Sequence, residues 1–194
     1  YYANAEALAA ARPKIAASVY LDDAAGQLRL AEAAVSPIAA QVCTGKGLEP
    51  KPKLTFAIGR HVRVLELGAD YTLAYASNVK PGTATVTLQG MGSYTGTASV
   101  QFNIVLAKAK GVSAKSTKAR KLALSWKSVP CAASYKAEYR LKGAPKWQRK
   151  SAGKKTKLTL KGLKRGKRYQ VRIVASGFGQ TSTSAAVTSG KVKQ

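Results

Sequence analysis

The sequence predicts an all-β protein: two β-sandwich domains in tandem, preceded by a short alanine-rich segment. Three observations predict it. The length, 194 residues, exceeds that of a usual single domain. From Val35 onward, β-like runs recur about every ten residues between Gly, Pro and Asn, the spacing of a sandwich or barrel. Inside those runs apolar and polar side chains alternate, so that in Ala84-Thr85-Val86-Thr87-Leu88-Gln89 one face meets a core and the other meets water.

Residues 1–32 read as an N-terminal segment, either a short helix or the tail of a preceding module. Ala5 to Arg12 favours helix, Pro13 stops it, and Asp22-Asp23 followed by Gly26 forms a turn. The first sandwich is placed at residues 33–107, with strands at Val35–Cys43, Lys53–Ile58, Tyr71–Ser77, Ala84–Gln89 and Ala98–Val105. Asn78-Val79-Lys80-Pro81-Gly82 and Gly90-Met91-Gly92 supply residues that turn without steric cost. A polar, lysine-rich stretch from Ala107 to Lys118 reads as a linker, with the boundary near Ala107–Lys110. The second sandwich, residues 108–194, has strands at Leu122–Lys127, Tyr135–Leu141, Lys146–Lys150, Lys157–Leu160, Tyr169–Ser176 and Ser184–Val192.

Charge divides the modules. Residues 1–107 carry nine Lys/Arg against seven Asp/Glu, whereas residues 108–194 carry twenty-four against one, Glu138, so nearly all of the net +25 lies on the second module. Such asymmetry creates a positive field that attracts polyanions in low salt and less so in high salt. The plainer origin is a lysine-rich spacer kept soluble beside an anionic cell wall. An apolar fraction of 45% is ordinary for a globular chain, and no apolar run approaches the roughly 20 residues that span a bilayer. No signal-peptide pattern stands at Tyr1, so any such peptide is expected outside this sequence.

In the second module, Leu122-x-Leu124-x-Trp126 and Tyr135-x-Ala137-x-Tyr139 alternate as core strands, and Leu163-Lys164-Arg165-Gly166-Lys167-Arg168-Tyr169 forms a Leu-x-x-Gly-x-x-Tyr turn. These residues resemble strands B and C and the E–F turn of a fibronectin type III domain. The resemblance implies a core containing Trp126, Tyr135, Tyr139, Leu163 and Tyr169, with the Tyr169 hydroxyl bonded to backbone a few residues upstream. No Arg-Gly-Asp motif is present, so that family's receptor contact does not carry over.

The first module contains Cys43-Thr44-Gly45, Gly68-Ala69-Asp70-Tyr71-Thr72, Gly82-Thr83-Ala84-Thr85-Val86 and Gly92-Ser93-Tyr94-Thr95-Gly96-Thr97. In order and spacing these resemble a repeat of Gram-positive bacterial surface proteins with an Ig-like fold, although Cys43 stands where that pattern has tyrosine. The resemblance implies an extracellular stalk or adhesion module at the cell surface or wall and no catalytic residue.

By the topology those resemblances imply, Cys43 ends the first long strand of module one, and Cys131 lies in the B–C loop of module two. The two can then meet as an interdomain disulfide that clamps the junction; free buried thiols are the competing state. Neither cysteine has the spacing of a zinc site, and His61 is the only histidine. No metal or cofactor is expected.

A nucleophile elbow and a phosphate-cradling glycine loop are both absent, which argues against catalysis and a small-molecule substrate. Asp70 beside a strand start reads as a local backbone acceptor rather than as half of an acid pair with Glu66. Asn103 raises the question of an isopeptide cross-link, but no lysine stands in a matching first-strand position.

The alternation that turns Tyr135, Ala137 and Tyr139 inward turns Lys136, Glu138 and Arg140 outward, and exposes Arg168, Gln170 and Arg172 on strand F. Strands C and F are neighbours in this fold. Lys136, Arg140, Arg168 and Arg172, joined by Lys164, Arg165 and Lys167, are therefore the candidate polyanion site, with Trp147 outside it on an edge strand. The anion is an anionic cell-wall polymer, a sulfated host glycan or, nonspecifically, nucleic acid. Base stacking is disfavoured because the tyrosines fall on the inward phase. Three readings stand: a structural and adhesive stalk, a polyanion-binding module, and an accessory region of a cell-wall enzyme. The chain is read as monomeric, with neighbouring domains of the same polypeptide as its other partners.

Overall fold

The structure is a computed structural model that describes residues 27–58 and 60–193. The expected helix at Ala5–Arg12 and the turn at Asp22–Gly26 lie outside the described residues. Strands in chain order are β1 (Leu28–Arg29), β2 (Ala34–Val35), β3 (Gln41–Val42), β4 (Leu54–Ile58), β5 (His61–Val64), β6 (Tyr71–Ala76), β7 (Gly82–Gly90), β8 (Tyr94–Thr95) and β9 (Thr97–Val105). They continue with β10 (Ser113–Ser116), β11 (Leu122–Ser125), β12 (Ser134–Leu141), β13 (Gln148–Gly153), β14 (Lys157–Leu160), β15 (Tyr169–Gly177), β16 (Gln180–Thr183) and β17 (Val187–Thr188). A 3-10 turn at Leu30–Glu32 is the sole helical element among the described residues. None is long and apolar enough to cross a membrane.

By contacts, the described residues fall into two compact units. The first comprises residues 27–39, 49–76 and 84–102; the second comprises 40–48, 77–83 and 103–193. In the first unit, β4 pairs antiparallel with β2 and β5, β6 pairs with β7, and the short β1 lies parallel to β8. Its core gathers Leu30, Leu54, Phe56, Leu65, Tyr71, Leu88 and Tyr94. Phe56 meets Tyr94 edge-on, with centroids 5.5 Å apart, a preferred geometry because a ring's positive edge faces its neighbour's negative face. Leu30 is fully buried, so the segment before residue 33 contributes to this core. Asp70 is also buried, accepting hydrogen bonds from Arg63 Nη2 at 2.9 and 3.2 Å and from the Glu66 amide at 2.9 Å. Its charge fastens the turn into β6, as a backbone acceptor at a strand start does.

Apart from the parallel pairing of β3 with the end of β9, the second unit contains two sheets. One runs β10-β11-β14; the other runs β13-β12-β15-β16, with β17 also on β15. On β15 burial alternates strictly, which places Tyr169, Val171, Ile173 and Ala175 in the core between the sheets. Leu122, Leu124, Trp126, Tyr135, Ala137 and Leu163 complete it, while Tyr139 is half-buried and packs against Tyr169. Trp126 meets Tyr135 edge-on at 5.7 Å. Two tyrosine hydroxyls tie loops to this core: that of Tyr169 accepts from the Lys164 amide at 3.0 Å, and that of Tyr135 accepts from the Val129 amide at 2.8 Å.

Several strands differ from the sequence expectation. The long run Val35–Cys43 is two short strands, β2 and β3, separated by residues 36–40, where Pro37 has no N–H to give a ladder. The polar stretch Ala107–Lys118, expected as linker, contains β10, whose partners on β11 run from Ser113↔Ser125 to Ser116↔Leu122. The expected strand Ser184–Val192 is replaced by β16 and β17 on either side of the buried Ser184, whose hydroxyl accepts from the Ile173 amide at 2.9 Å. Strand β5 was not expected, because all four of its residues are exposed and show no alternation.

Replacing Tyr169 by Phe removes the acceptor for the Lys164 amide and leaves the ring in place. The expected loss is about 1 kcal/mol of unfolding free energy with an unchanged denaturant slope. An unaltered urea midpoint contradicts the tether.

Candidate functional site

The outer face of sheet β13-β12-β15-β16 is set by register. Glu138 on β12 lies between Arg149 on β13 and Arg172 on β15; two residues along, Lys136 lies between Ser151 and Val174, and Val174 faces Thr183 on β16. In the next row Ser134 faces Ser176, which faces Thr181. Residues two apart on a strand share a face, so Lys136, Arg149, Arg172, Ser176, Thr181 and Thr183 surround one shallow depression of about 300 Å³.

Glu138 points outward, as the alternation predicts, but it is not open to solvent. It lies on the outward phase yet is only 6% exposed, because two guanidinium groups cover it. Arg149 Nε donates to one carboxylate oxygen at 2.8 Å and Arg172 Nε to the other at 2.7 Å. Burial alone raises the carboxyl's pKa, but the hydrogen bonds from Arg149 and Arg172 and their positive charges outweigh it and hold the group below the usual carboxylate range.

Trp147 corrects the sequence expectation. It is not outside the strip: both the Arg140 and the Arg172 guanidinium carbons lie 4.3 Å from its ring centroid. That is within cation–π range, so the ring gathers two cations that would otherwise repel. Arg140 is also held through Nε by Gln170 Oε1 at 2.9 Å. Lys136, Arg140 and Arg172 thus share one face, whereas Lys164, Arg165, Lys167 and Arg168 are exposed on the turn leading into β15. Arg168 sits beyond the strand end, its carbonyl accepting from the Lys142 amide at 3.0 Å.

Cys43 and Cys131 are joined by a disulfide, with Cα atoms 6.4 Å apart, and both belong to the second compact unit. Cys131 has a positive φ of 64°, and its carbonyl oxygen lies 2.6 Å from where a Cβ on Gly177 would stand. Only glycine at position 177 lets β15 pass this loop. Asn103 is exposed, its side-chain oxygen accepting from the Thr83 hydroxyl at 3.4 Å. Among the described residues, no group of three His, Cys, Asp or Glu side chains stands close enough to hold a metal.

With this geometry in view, residues 107–189 match the family described as "Fibronectin type III domain". That span is a fibronectin type III domain, and the two-sheet topology around Trp126 and Tyr169 agrees with it. No curated protein matches the chain. Among solved structures, it is similar to the Fn3-like protein from Clostridium thermocellum, at 24% identity, TM-score 0.40, covering 45% of this chain and 95% of that one. It is also similar to the FN5 domain of Drosophila Lar, at 19% identity, TM-score 0.41, covering 46% and 99%. The FN1–FN3 domains of chicken CNTN1 align at 14% identity, TM-score 0.43, over 83% of this chain and 66% of that one.

Changing Glu138 to Gln leaves two arginines around an uncharged group, and about 2 kcal/mol of stability is expected to be lost at neutral pH. Because the carboxyl's pKa is lowered on folding, its contribution is complete above the unfolded value of about 4.3 and fades as pH falls through the folded value. Chemical denaturation at several pH values should therefore show wild type and variant converging in acid. A constant gap contradicts this. Gly177→Ala is expected to destabilise by more than about 1 kcal/mol, as backbone must shift at the Cys131 loop; thermal melting tests it.

Proposed function

We propose that this chain is a non-catalytic structural and adhesive stalk segment of a secreted bacterial surface protein. The observation that supports it most is the fibronectin type III domain at residues 107–189, joined through Cys131 to Cys43 by a disulfide. Disulfides persist in oxidising compartments, which favours an extracellular location. Among the described residues, the buried acids Asp70 and Glu138 are each paired with arginine and serve as structural anchors. Bacterial surface origin rests on the Ig-like repeat pattern at residues 33–106. An accessory role beside a cell-wall enzyme uses the same properties.

Single-molecule pulling tests the stalk reading. A stalk segment unfolds in discrete events, and reduction releases the loop closed across 88 residues, adding roughly 300 Å of contour length. Featureless extension at low force overturns it.

One observation favours a second reading, polyanion binding: Lys136, Arg140 and Arg172 share one sheet face. In a heparin titration at two salt concentrations, neutralising Lys136, Arg140, Arg168 and Arg172 is expected to remove binding that variants at Lys51 and Lys53 leave intact. Equal losses reduce the effect to a nonspecific field.

A further inference from the structure

We propose that the depression on the outer face of sheet β13-β12-β15-β16 is a binding site for a sulfated sugar unit of a linear polysaccharide. The inference rests on the polyanion reading of that face and adds the chemical class. One side of the depression is cationic: Lys136, Arg149 and Arg172 outnumber the single carboxylate of Glu138. Arg149 and Arg172 are each fixed through Nε, which orients the guanidinium groups and leaves their terminal amines without a protein acceptor among the described residues. Such a fork matches a tetrahedral oxyanion, and a sulfate ester on a sugar presents one as a singly charged group, which costs less to desolvate beside guanidinium than a doubly charged phosphate.

The other side is hydroxylic. Ser176, Thr181 and Thr183 line it, and their hydroxyls make no hydrogen bond among the described residues. Polyphosphate oxygens can only accept from these hydroxyls, whereas a sugar ring both donates to them and accepts from them beside its sulfate. Nucleic acid fits less well, because the Trp147 ring beside the cations is already engaged by Arg140 and Arg172 and is no open stacking platform. Trp147 thus packs against Arg172 beside the site.

The test is equilibrium binding of the full chain to dextran sulfate, unmodified dextran and polyphosphate at about 150 mM salt, where the screening length is about 8 Å. Dextran sulfate is expected to bind about tenfold tighter than polyphosphate at equal charge, and dextran not at all. The Thr181→Val, Thr183→Val pair keeps the β-branched shape and is expected to weaken dextran sulfate about three- to tenfold and polyphosphate less, since only the sugar uses the acceptor side of the hydroxyls. Lys136→Gln with Arg149→Gln weakens both, and thermal melting of each variant separates binding loss from unfolding. Equal affinity for the two polymers, or silent threonine variants, overturns the sulfated-sugar inference. If the Lys136 and Arg149 pair still weakens both polymers, the broader polyanion reading survives that failure. If that pair is also no different from neutralising Lys164, Arg165 and Lys167, both fail.

Discussion

Pairing of β12 with β15, from Ser134↔Ser176 to Leu141↔Tyr169, decides which side chains of the second unit enter its core and which form its outer face. Both strands lie inside the sheet, with β13 beyond β12 and β16 and β17 beyond β15. A slip of one residue would carry Tyr135, Ala137, Val171 and Ile173 into water and charged side chains into the core. The hydrophobic surface sealed with Trp126 and Leu124 therefore specifies the cationic face as well. Core and candidate site are two faces of one register.

That register concentrates like charge, which by itself opposes folding. Facing like charges on neighbouring strands are unfavourable, and the sheet answers them locally rather than by dilution. Glu138, the one acid among residues 108–194, is buried between Arg149 and Arg172. Trp147 provides a second relief, placing its electron-rich ring against Arg140 and Arg172. The lysines and arginines of the turn before β15 have no such partners among the described residues and are exposed, where water and salt screen them. The face thus divides into fixed guanidinium groups and a loose cationic rim. A disulfide adds a different stabilisation: closing a loop across 88 residues removes unfolded-state entropy worth roughly 4–5 kcal/mol on chain-entropy grounds.

Much of this is legible in the sequence, for reasons that also define where legibility ends. Period-two alternation is a local signal, so β7, β12, β14 and β15 can be read directly, as can the turn before Tyr169 and the inward phase of Trp126 and Tyr135. Glu138 defeats the same rule: its phase is outward, but its burial depends on two arginines that reach it from other strands. Arg149 and Trp147 are hidden because their place depends on the β12–β13 register, which shifts between Tyr135 and Lys136, a non-local irregularity. A lone acid amid twenty-four basic residues was the available clue, since a single counter-charge in such a field is driven to pair. Strand β5, exposed at all four residues, and β10, composed of Ser, Ala and Lys, have no hydrophobic periodicity to detect and exist through their ladder partners.

Native-state amide hydrogen exchange tests the central role of the β12–β15 register most directly. Ladder amides within Tyr135–Tyr139 and Val171–Ala175 are expected to exchange slowest, opening only with global unfolding, while those of β5 and β10 exchange by local opening. Protection in β12 and β15 no greater than in those edge strands would contradict it.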